Sequence, residues 1–332
     1  MHRIKFISHA LTAVPHGQPY TIGDCTFIPD ADCVDYDWLV VYDDFPRRSV
    51  GRIVNEGEEL CCPREHTILA TAEPPTIKLY PPCYTHQFGH VLTTHLPQYL
   101  PHPHHHIAPG ILQWFAGYSW DEVQSEPDYP KTKLFSTVCS SKQQKHTAHY
   151  QRYQLTSYVA EHIPEMEWFG HGVRPLDVKY EALSDYKYHL AMENYLAPYH
   201  WTDKISDPIL GLCLTFYAGD PKLAEVLPEG CFIPIPADDP AEATRIIREA
   251  IDNNEYEKRL PAIREARHLL ATQYNFHNQV IACIREAEKA EKESGTTPST
   301  APFVLKGRHR LRRNPLNLLS TALFNLKVKL TH

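Results

Sequence analysis

The segment 186–221 is the part of the sequence that most constrains the fold. Its sequence is YKYHLAMENYLAPYHWTDKISDPILGLCLTFYAGDP. It has the pattern of an apolar strand, a polar turn, a helix that begins near Thr202, and a second strand that ends in glycine. A strand that leads through a polar turn to a helix N-terminus is where α/β proteins bind anions such as phosphate. The segment therefore predicts a parallel α/β sheet with an anion-binding loop at its edge.

Short apolar runs recur along the chain and alternate with helical patterns. Such runs are typical of strands buried in a parallel sheet. They occupy 3–7, 38–42, 67–71, 134–139, 166–170, 188–192, 212–217 and 231–235. Helices are predicted over 149–162 and over most of 240–290, where Asp239 and Pro240 form a favourable helix start. Strands that alternate with helices predict a doubly wound α/β fold.

The length and composition fit two domains with substantial cores, because the chain has 332 residues and 42% of them are hydrophobic. The segment PDYP at 127–130 is interpreted as the linker between them. The predicted division is a first domain at 1–129, a second domain at 130–293 and a tail at 294–332.

The cysteines and the N-terminus indicate a cytosolic protein. The nine cysteines include no CxxC pair, which favours reduced thiols. The broken apolar run at 1–17 fits a first strand better than a signal peptide. No run of 18 apolar residues is present, so no transmembrane span is predicted.

The tail has a charge opposite to that of the rest of the chain. It carries seven Lys and Arg and no acidic residue, whereas the whole chain has a net charge of −7. One helical stripe of the tail is apolar and consists of Leu316, Leu319, Leu323, Leu326 and Leu330. A basic run beside an amphipathic helix is typical of a segment that lies on an anionic membrane surface. A helix packed on the body, or an oligomer contact, is the alternative, and the acidic body argues against nucleic acid.

Polar residues in the segment 186–221 have the chemistry to bind an anionic ligand. Lys204 can neutralise negative charge on such a ligand. The carboxylate of Asp203 can accept hydrogen bonds from hydroxyl groups. The alternative is an ordinary helix N-terminus, in which Thr202 is the cap and the helix dipole stabilises Asp203.

The order of these residues resembles the donor half of the fucosyltransferases of glycosyltransferase family 10. That family has Tyr-Lys-Phe, an apolar run, Glu-Asn, a spacer, Thr-Glu-Lys, a helix and a strand that ends in glycine. The resemblance implies that Asp203 binds the ribose and Lys204 a phosphate, with Asp203 standing where the family usually has glutamate. It further implies that Glu193 and Asn194 line the donor sugar.

The resemblance continues upstream of that segment. The strand 134–139, a loop and Arg152 on a helix match the first donor-domain segment of the family, so Arg152 would bind the β-phosphate. A solvent-exposed helix arginine is the alternative. Gly170 and Gly172 stand where the family has a glycine-bearing loop that closely approaches the donor, and a plain turn is the alternative.

Glu73 is the candidate general base. It follows the apolar strand 67–71 and comes just before Pro74 and Pro75, and α/β sheets bind ligands beyond the carboxyl ends of their strands. In the resembling family, a similar segment supplies the base that deprotonates the acceptor hydroxyl. A loop-end glutamate without a role is the alternative.

The histidine tract HPHHH, with His102 and His104–His106, is not predicted to be a functional metal site. Histidine-rich tracts can bind zinc or nickel, but adjacent histidines in a proline-rich loop rarely converge on one ion. The loop is expected to shape the acceptor cleft. The family does not require a metal cofactor, so a divalent cation would at most stimulate the reaction. The Asp43-Asp44 and Asp238-Asp239 pairs are interpreted as turn and cap residues.

The resemblance implies a GT-B protein, α/β with two Rossmann-like domains that face a cleft. The implied reaction is an inverting transfer of fucose from GDP-fucose to a hydroxyl of a surface glycan such as lipopolysaccharide O-antigen. The implied location is cytoplasmic and peripheral, on the inner face of the cell membrane. One alternative keeps this fold and reaction with another nucleotide-sugar donor. The other is a non-catalytic membrane-surface or metal-binding protein on the same scaffold.

Overall fold

A computed structural model describes residues 2–9, 18–112, 114, 116–125, 129–144 and 147–330. The chain divides into unit 1, Met1–Ile111 with His277–His332, and unit 2, Leu112–Phe276. The described strands are β1 (His2–Ser8), β2 (Tyr20–Ile22), β3 (Cys25–Ile28), β4 (Trp38–Tyr42), β5 (Gly57–Glu59), β6 (Thr67–Ala70), β7 (His90–Thr93), β8 (His105–Ile107), β9 (Lys133–Val138), β10 (Met166–Phe169), β11 (Tyr186–Met192), β12 (Leu214–Ala218), β13 (Phe232–Pro234) and β14 (Val304–Lys306). The described α-helices are α1 (Pro82–Thr85), α2 (Trp120–Gln124), α3 (His149–His162), α4 (Asp203–Leu210), α5 (Pro240–Asp252), α6 (Glu255–Thr272), α7 (Phe276–Ser294), α8 (Arg308–Leu311) and α9 (Pro315–Leu330).

Unit 1 contains a seven-stranded sheet in the order β2-β3-β1-β4-β6-β7-β8. Every neighbouring pair is parallel except β2 with β3. The three strands predicted in this region are β1, β4 and β6, which lie in the middle of the sheet and contribute buried Ile7, Leu39, Val41 and Leu69 to one core. Continuous apolar runs predicted these strands because parallel strands are covered on both faces.

Unit 2 contains a five-stranded, all-parallel sheet in the order β10-β9-β11-β12-β13. Helices α3 and α5 supply Leu155, Val159 and Ile247 to a core with β9, β11 and β12. Helices α4 and α6 pack Ile205, Ile209 and other residues into a second core. The predicted doubly wound sheet is therefore confirmed, and the predicted helix 149–162 is α3.

The strand order of unit 2 reverses between β9 and β11. The chain passes from β9 through α3 to β10 on one side, and then places β11 on the other side of β9. A ligand in an open α/β sheet binds beyond the carboxyl ends of the strands at such a switch point. A ligand site is therefore expected at the loops after β9 and β11.

Local backbone geometry shifts some strand limits. The predicted strand 212–217 is β12, which begins at Leu214 instead, because Leu212 has a φ of +56° that an extended strand does not allow. The Pro-rich segment that contains HPHHH was interpreted as a loop, but His105 and His106 belong to β8, which pairs in parallel with β7.

The boundaries of the two units differ from those of the predicted segments 1–129, 130–293 and 294–332. Helix α2 belongs to unit 2, where the buried Arg267 of α6 donates to the carbonyls of Glu122 and Ser125. Helix α7 belongs to unit 1, where Arg285 pairs with Asp24 at 2.9 Å. Of the predicted linker 127–130, residues 127 and 128 lie outside the described residues.

The tail is partly built into unit 1. Strand β14 pairs antiparallel with β5, and its Leu305 is fully buried. The backbone N–H of Arg308 donates to Asp44 Oδ1, and that of Arg310 donates to Glu56 Oε2. Helix α9, in contrast, leaves large leucines exposed. None of the described helices is long and apolar enough to cross a membrane.

Candidate functional site

The start of α4 is fixed to the end of β11 by Glu193. Glu193 follows β11 directly and is fully buried. Its carboxylate accepts hydrogen bonds from the backbone N–H of Thr202 at 2.9 Å and from the Thr202 hydroxyl at 2.9 and 3.0 Å. Thr202 is the N-cap, as predicted, and accepts from the backbone N–H of Lys204. Glu193 therefore holds a helix N-terminus in place.

Lys204 places an ammonium group at this helix N-terminus. Its Nζ lies 2.9 Å from Thr202 Oγ1, 3.4 Å from Glu193 Oε2 and 3.4 Å from Asp203 Oδ1, and its side chain is 22% exposed. A partly exposed cation beside the positive end of a helix is suited to a phosphate group.

Asp203 is engaged by a residue that the sequence analysis did not identify. Lys179 Nζ lies 2.7 Å from Asp203 Oδ2 and 2.8 Å from the buried Asp207 Oδ2. Burial alone would raise the pKa of Asp203, but the ammonium groups of Lys179 and Lys204 outweigh it and hold the pKa well below its usual range. Asp203 is therefore an anion oriented by Lys179, and a contact with ribose stays a prediction.

Arg152 lies in the first turn of α3, which follows β9. The backbone N–H of Ala148, the N-cap of α3, donates to the carbonyl of Asn194 at 3.2 Å, so this helix start adjoins the end of β11. Arg152 is buried, and its Nε has no hydrogen-bond partner among the described residues. Buried polar atoms normally have a partner, so the Nε of Arg152 is a charged donor suited to a bound anion.

Gly170 and Gly172 bring the loop after β10 against the loop after β9. Both have positive φ, +139° and +80°. A Cβ at Gly170 would lie 2.4 Å from the carbonyl oxygen of Cys139, and one at Gly172 would lie 2.2 Å from Ser141 Oγ. Only glycine fits these positions. The glycines thus shape the loop after β9, and a direct contact with a donor stays a prediction.

In unit 1, Glu73 lies beyond the carboxyl end of β6, as predicted, and is exposed. Its carbonyl oxygen lies 2.7 Å from His95 Nε2. The position suits a base that acts on a bound substrate, since ligands approach this edge of a parallel sheet.

A second proton acceptor in unit 1 was missed by the sequence analysis. Asp43 follows β4 with a φ of +70°, and His9 follows β1. Asp43 Oδ2 lies 3.3 Å from His9 Nδ1, while Oδ1 accepts from Lys78 at 2.6 Å and from Tyr80. A carboxylate that orients an imidazole in this way is suited to support general-base chemistry. Asp43 is a turn residue, as predicted, but it also organises this group.

The His9–Asp43 pair lines a cavity of about 880 Å³ in unit 1. The cavity is rich in cations, which are Arg47, Arg48, Lys78, Arg308 and Arg312. No sequence pattern indicated it, because its residues come from both ends of the chain.

No protein-family model and no curated protein sequence matches this chain. Solved structures of an alpha1,3-fucosyltransferase are similar to it. The structure of that protein with GDP has a TM-score of 0.50 at 14% identity, and the match covers 87% of this chain and 90% of that chain. Another structure of an alpha1,3-fucosyltransferase has a TM-score of 0.49 at 14% identity with the same coverage. The likeness concerns the fold, and it confirms the predicted α/β class, GT-B.

Proposed function

We propose that this protein is a glycosyltransferase that moves a sugar from a nucleotide-sugar donor, GDP-fucose, to a hydroxyl group of a glycan. The observation that carries the proposal is the pair of cations, Arg152 and Lys204, at two helix starts beside the switch point of the unit 2 sheet. Arg152 is buried with an unpartnered Nε. A protein of similar fold was solved with GDP, which supports a nucleoside diphosphate as the ligand.

The chemistry follows from these charges. The acceptor oxygen forms a bond to the anomeric carbon while the bond from that carbon to the diphosphate oxygen breaks, with inversion. The negative charge grows on the departing GDP, where Arg152 and Lys204 stabilise it. The proton of the acceptor hydroxyl goes to a base, either the carboxylate of Glu73 or the imidazole of His9 that Asp43 orients.

The donor site is tested by calorimetric titration of the full chain with GDP and then GDP-fucose. Lys204→Ala and Arg152→Ala are each expected to weaken GDP binding by roughly tenfold to a hundredfold, since a hydrogen bond to a charged group contributes about 1.5 to 3 kcal/mol. Lys258→Ala, which removes an exposed cation of α6 in the same unit, is the matched control and should bind GDP normally. If folded wild type binds neither ligand, GDP-fucose is excluded as the donor, and titration with other nucleotide sugars separates a different donor from the non-catalytic alternative.

The base is tested once an acceptor supports turnover. Glu73→Gln and His9→Gln keep the size of each side chain close to the original but remove its proton acceptor. The variant that lacks the true base is expected to lose kcat by roughly a hundredfold or more while its GDP affinity stays unchanged. Equal activity of both variants and wild type would exclude both residues.

We further propose that the protein works at a membrane surface, on a surface glycan such as lipopolysaccharide O-antigen. Helix α9 exposes Leu316, Leu319, Leu323 and Leu326 by 76, 58, 58 and 55%, while the side chain of Leu330 lies outside what the structure describes. The basic run Arg308–Leu311 and the two arginines after it precede this stripe. An apolar stripe next to cations supports contact with anionic lipid headgroups.

A further inference from the structure

Three potential metal ligands meet in unit 1, apart from the candidate donor and base residues. His90 begins β7, His106 lies in β8, and Cys283 lies on α7. One ligand atom from each lies within 4.8 Å of the other two. His90 and Cys283 are buried, and His106 is half-buried. The strand pairing of β7 with β8 brings the two imidazoles together, and α7 adds the thiol.

The spacing of these atoms suits a tetrahedral ion. His90 Nδ1 lies 3.2 Å from His106 Nε2. Around tetrahedral zinc, with Zn–N and Zn–S bonds of about 2.05 and 2.3 Å, two nitrogens lie about 3.3 Å apart and a nitrogen and a sulfur about 3.6 Å apart. Without an ion, one of these two nitrogens donates a hydrogen bond to the other. When an ion binds, the proton of the donating ring moves to the other nitrogen of that ring, and the two rings stay nearly in place.

The surroundings of the two rings also fit metal ligands. His106 Nδ1 lies 3.6 Å from Glu286 Oε2, and Glu286 is three residues after Cys283, on the same face of α7. A carboxylate on the far nitrogen of a ligating histidine orients the ring and strengthens the ligand. The ring of His90 stacks on that of His104, with centroids 4.9 Å apart.

The rest of the HPHHH tract does not form this cluster. His102 Nε2 lies 3.2 Å from the carbonyl oxygen of Phe88, and His104 Nδ1 lies 2.8 Å from that of Gly89. His105 Nε2 lies 2.9 Å from the carbonyl oxygen of His95. These ring nitrogens bind the main chain, so only His106 of the tract contributes a ligand.

We propose that His90, His106 and Cys283 bind one Zn²⁺ ion, which fixes α7 to the β7–β8 edge of the unit 1 sheet. A thiolate with two imidazoles is a ligand set that zinc prefers over magnesium or calcium. A water molecule would complete four-coordination, since the three protein ligands leave one position of the tetrahedron. The thiol proton is released to solvent when the ion binds.

The test uses the full chain after removal of metal with a chelator. Zn²⁺ is titrated in competition with a chromophoric chelator, and Co²⁺ is titrated separately to detect the charge-transfer absorption of a cobalt–thiolate bond. Wild type is expected to bind one equivalent, to show the cobalt–thiolate band, and to unfold at a higher temperature with Zn²⁺ than without it.

Cys283→Ser is expected to lose the cobalt–thiolate band and at least tenfold in zinc affinity. Cys25→Ser removes another buried cysteine of unit 1 and is the matched control, and His102→Gln controls for binding by the histidine tract. If Cys283→Ser does not fold, His106→Gln supplies the same comparison for affinity. Absence of the band in wild type, or zinc binding that neither ligand variant weakens, would overturn the proposal without bearing on the donor site.

Discussion

His189 shows at the scale of single residues how burial sets protonation in unit 2. It lies in β11, and its Nδ1 is 2.8 Å from Ser136 Oγ. Ser136 donates its one hydroxyl hydrogen to the carbonyl of Ala182, so His189 must donate the hydrogen of Nδ1 to Ser136. Burial, followed by the charges of Lys179 and Lys131, lowers the pKa of His189 to about 3. The ring is therefore a neutral structural group.

This gives a predicted pH dependence of stability. The folded pKa of His189, about 3, lies below the ordinary value of 6.5, so the unfolded chain takes up the proton first as the pH falls. The contribution of neutral His189 to the free energy of unfolding is complete above pH 6.5 and is lost as the pH falls towards 3. The free energy of unfolding then falls by up to about 1.4 kcal/mol per pH unit. His189→Asn is expected to lower stability at neutral pH but to flatten this decline.

Thermal unfolding of wild type and His189→Asn between about pH 7 and about pH 5 gives the slope of stability against pH for each protein. His268→Asn, at an exposed position of α6, is the control and should decline as wild type does. Equal slopes for His189→Asn and wild type would show that His189 is not the group that titrates. His200, whose pKa is also lowered to about 3, contributes with the same sign in both proteins.

At the scale of elements, α4 couples local stability to the candidate donor site. Thr202 caps α4, and Asp239 caps α5 by accepting from the backbone N–H of Glu242. Loss of the Asp239 cap is expected to cost about 1 kcal/mol of stability. Loss of the Thr202 cap is expected to cost more, because its hydroxyl also donates to the buried carboxylate of Glu193. Because Lys204 is held against Thr202, only Thr202→Ala is expected to weaken GDP binding as well.

Denaturant unfolding and GDP calorimetry of Thr202→Ala and Asp239→Ala check this prediction. Thr202→Ala should lose more stability than Asp239→Ala, and a loss of GDP affinity of roughly threefold or more is expected in Thr202→Ala alone. Matching GDP affinities in the two variants would contradict the role of the α4 start.

The elements that the sequence predicted are those with strong local signals. Helix α3, strand β4 and the Thr202 cap were predicted because an apolar run or a cap residue is visible within a few positions. Strands β7 and β8 were missed because histidine and threonine fill much of them, and only tertiary packing buries β7.

The residues of the candidate sites also differ in whether a local sequence pattern predicts them. Arg152, Glu193, Asp203 and Lys204 follow strands in a recognisable order, so the sequence could place them at helix starts and strand ends. The role of Lys179 could not be predicted, because no local sequence pattern indicates that it pairs with Asp203. The same holds for the other long-range groups, His9 with Asp43 and Cys283 with His90 and His106.

At the scale of the whole molecule, the exposed leucines of α9 predict binding to anionic vesicles. Leu319→Glu with Leu323→Glu is expected to reduce cosedimentation with vesicles that contain anionic phospholipid by about tenfold, because both the apolar contact and the charge balance are changed. Ser320→Glu adds a charge to the same helix and is the control.

Vesicles of neutral phospholipid should bind wild type weakly, and raised salt should release it. Equal binding of wild type to neutral and anionic vesicles would contradict the membrane proposal. Equal binding of wild type and the double glutamate variant to anionic vesicles would also contradict it. A concentration-dependent increase in mass without vesicles would instead assign the leucines to an oligomer contact.

The division of the chain also has a consequence for biosynthesis. Unit 2 is one continuous stretch, whereas unit 1 is completed by α7, β14 and helices that the ribosome makes after unit 2. Domains fold as units during translation, usually in the order in which they emerge. Here unit 2 has its whole sequence available before β14 can pair with β5 in the separate two-stranded sheet of unit 1. The nascent chain therefore carries an incomplete unit 1 after unit 2 has been made, with α7 and β14 still to come.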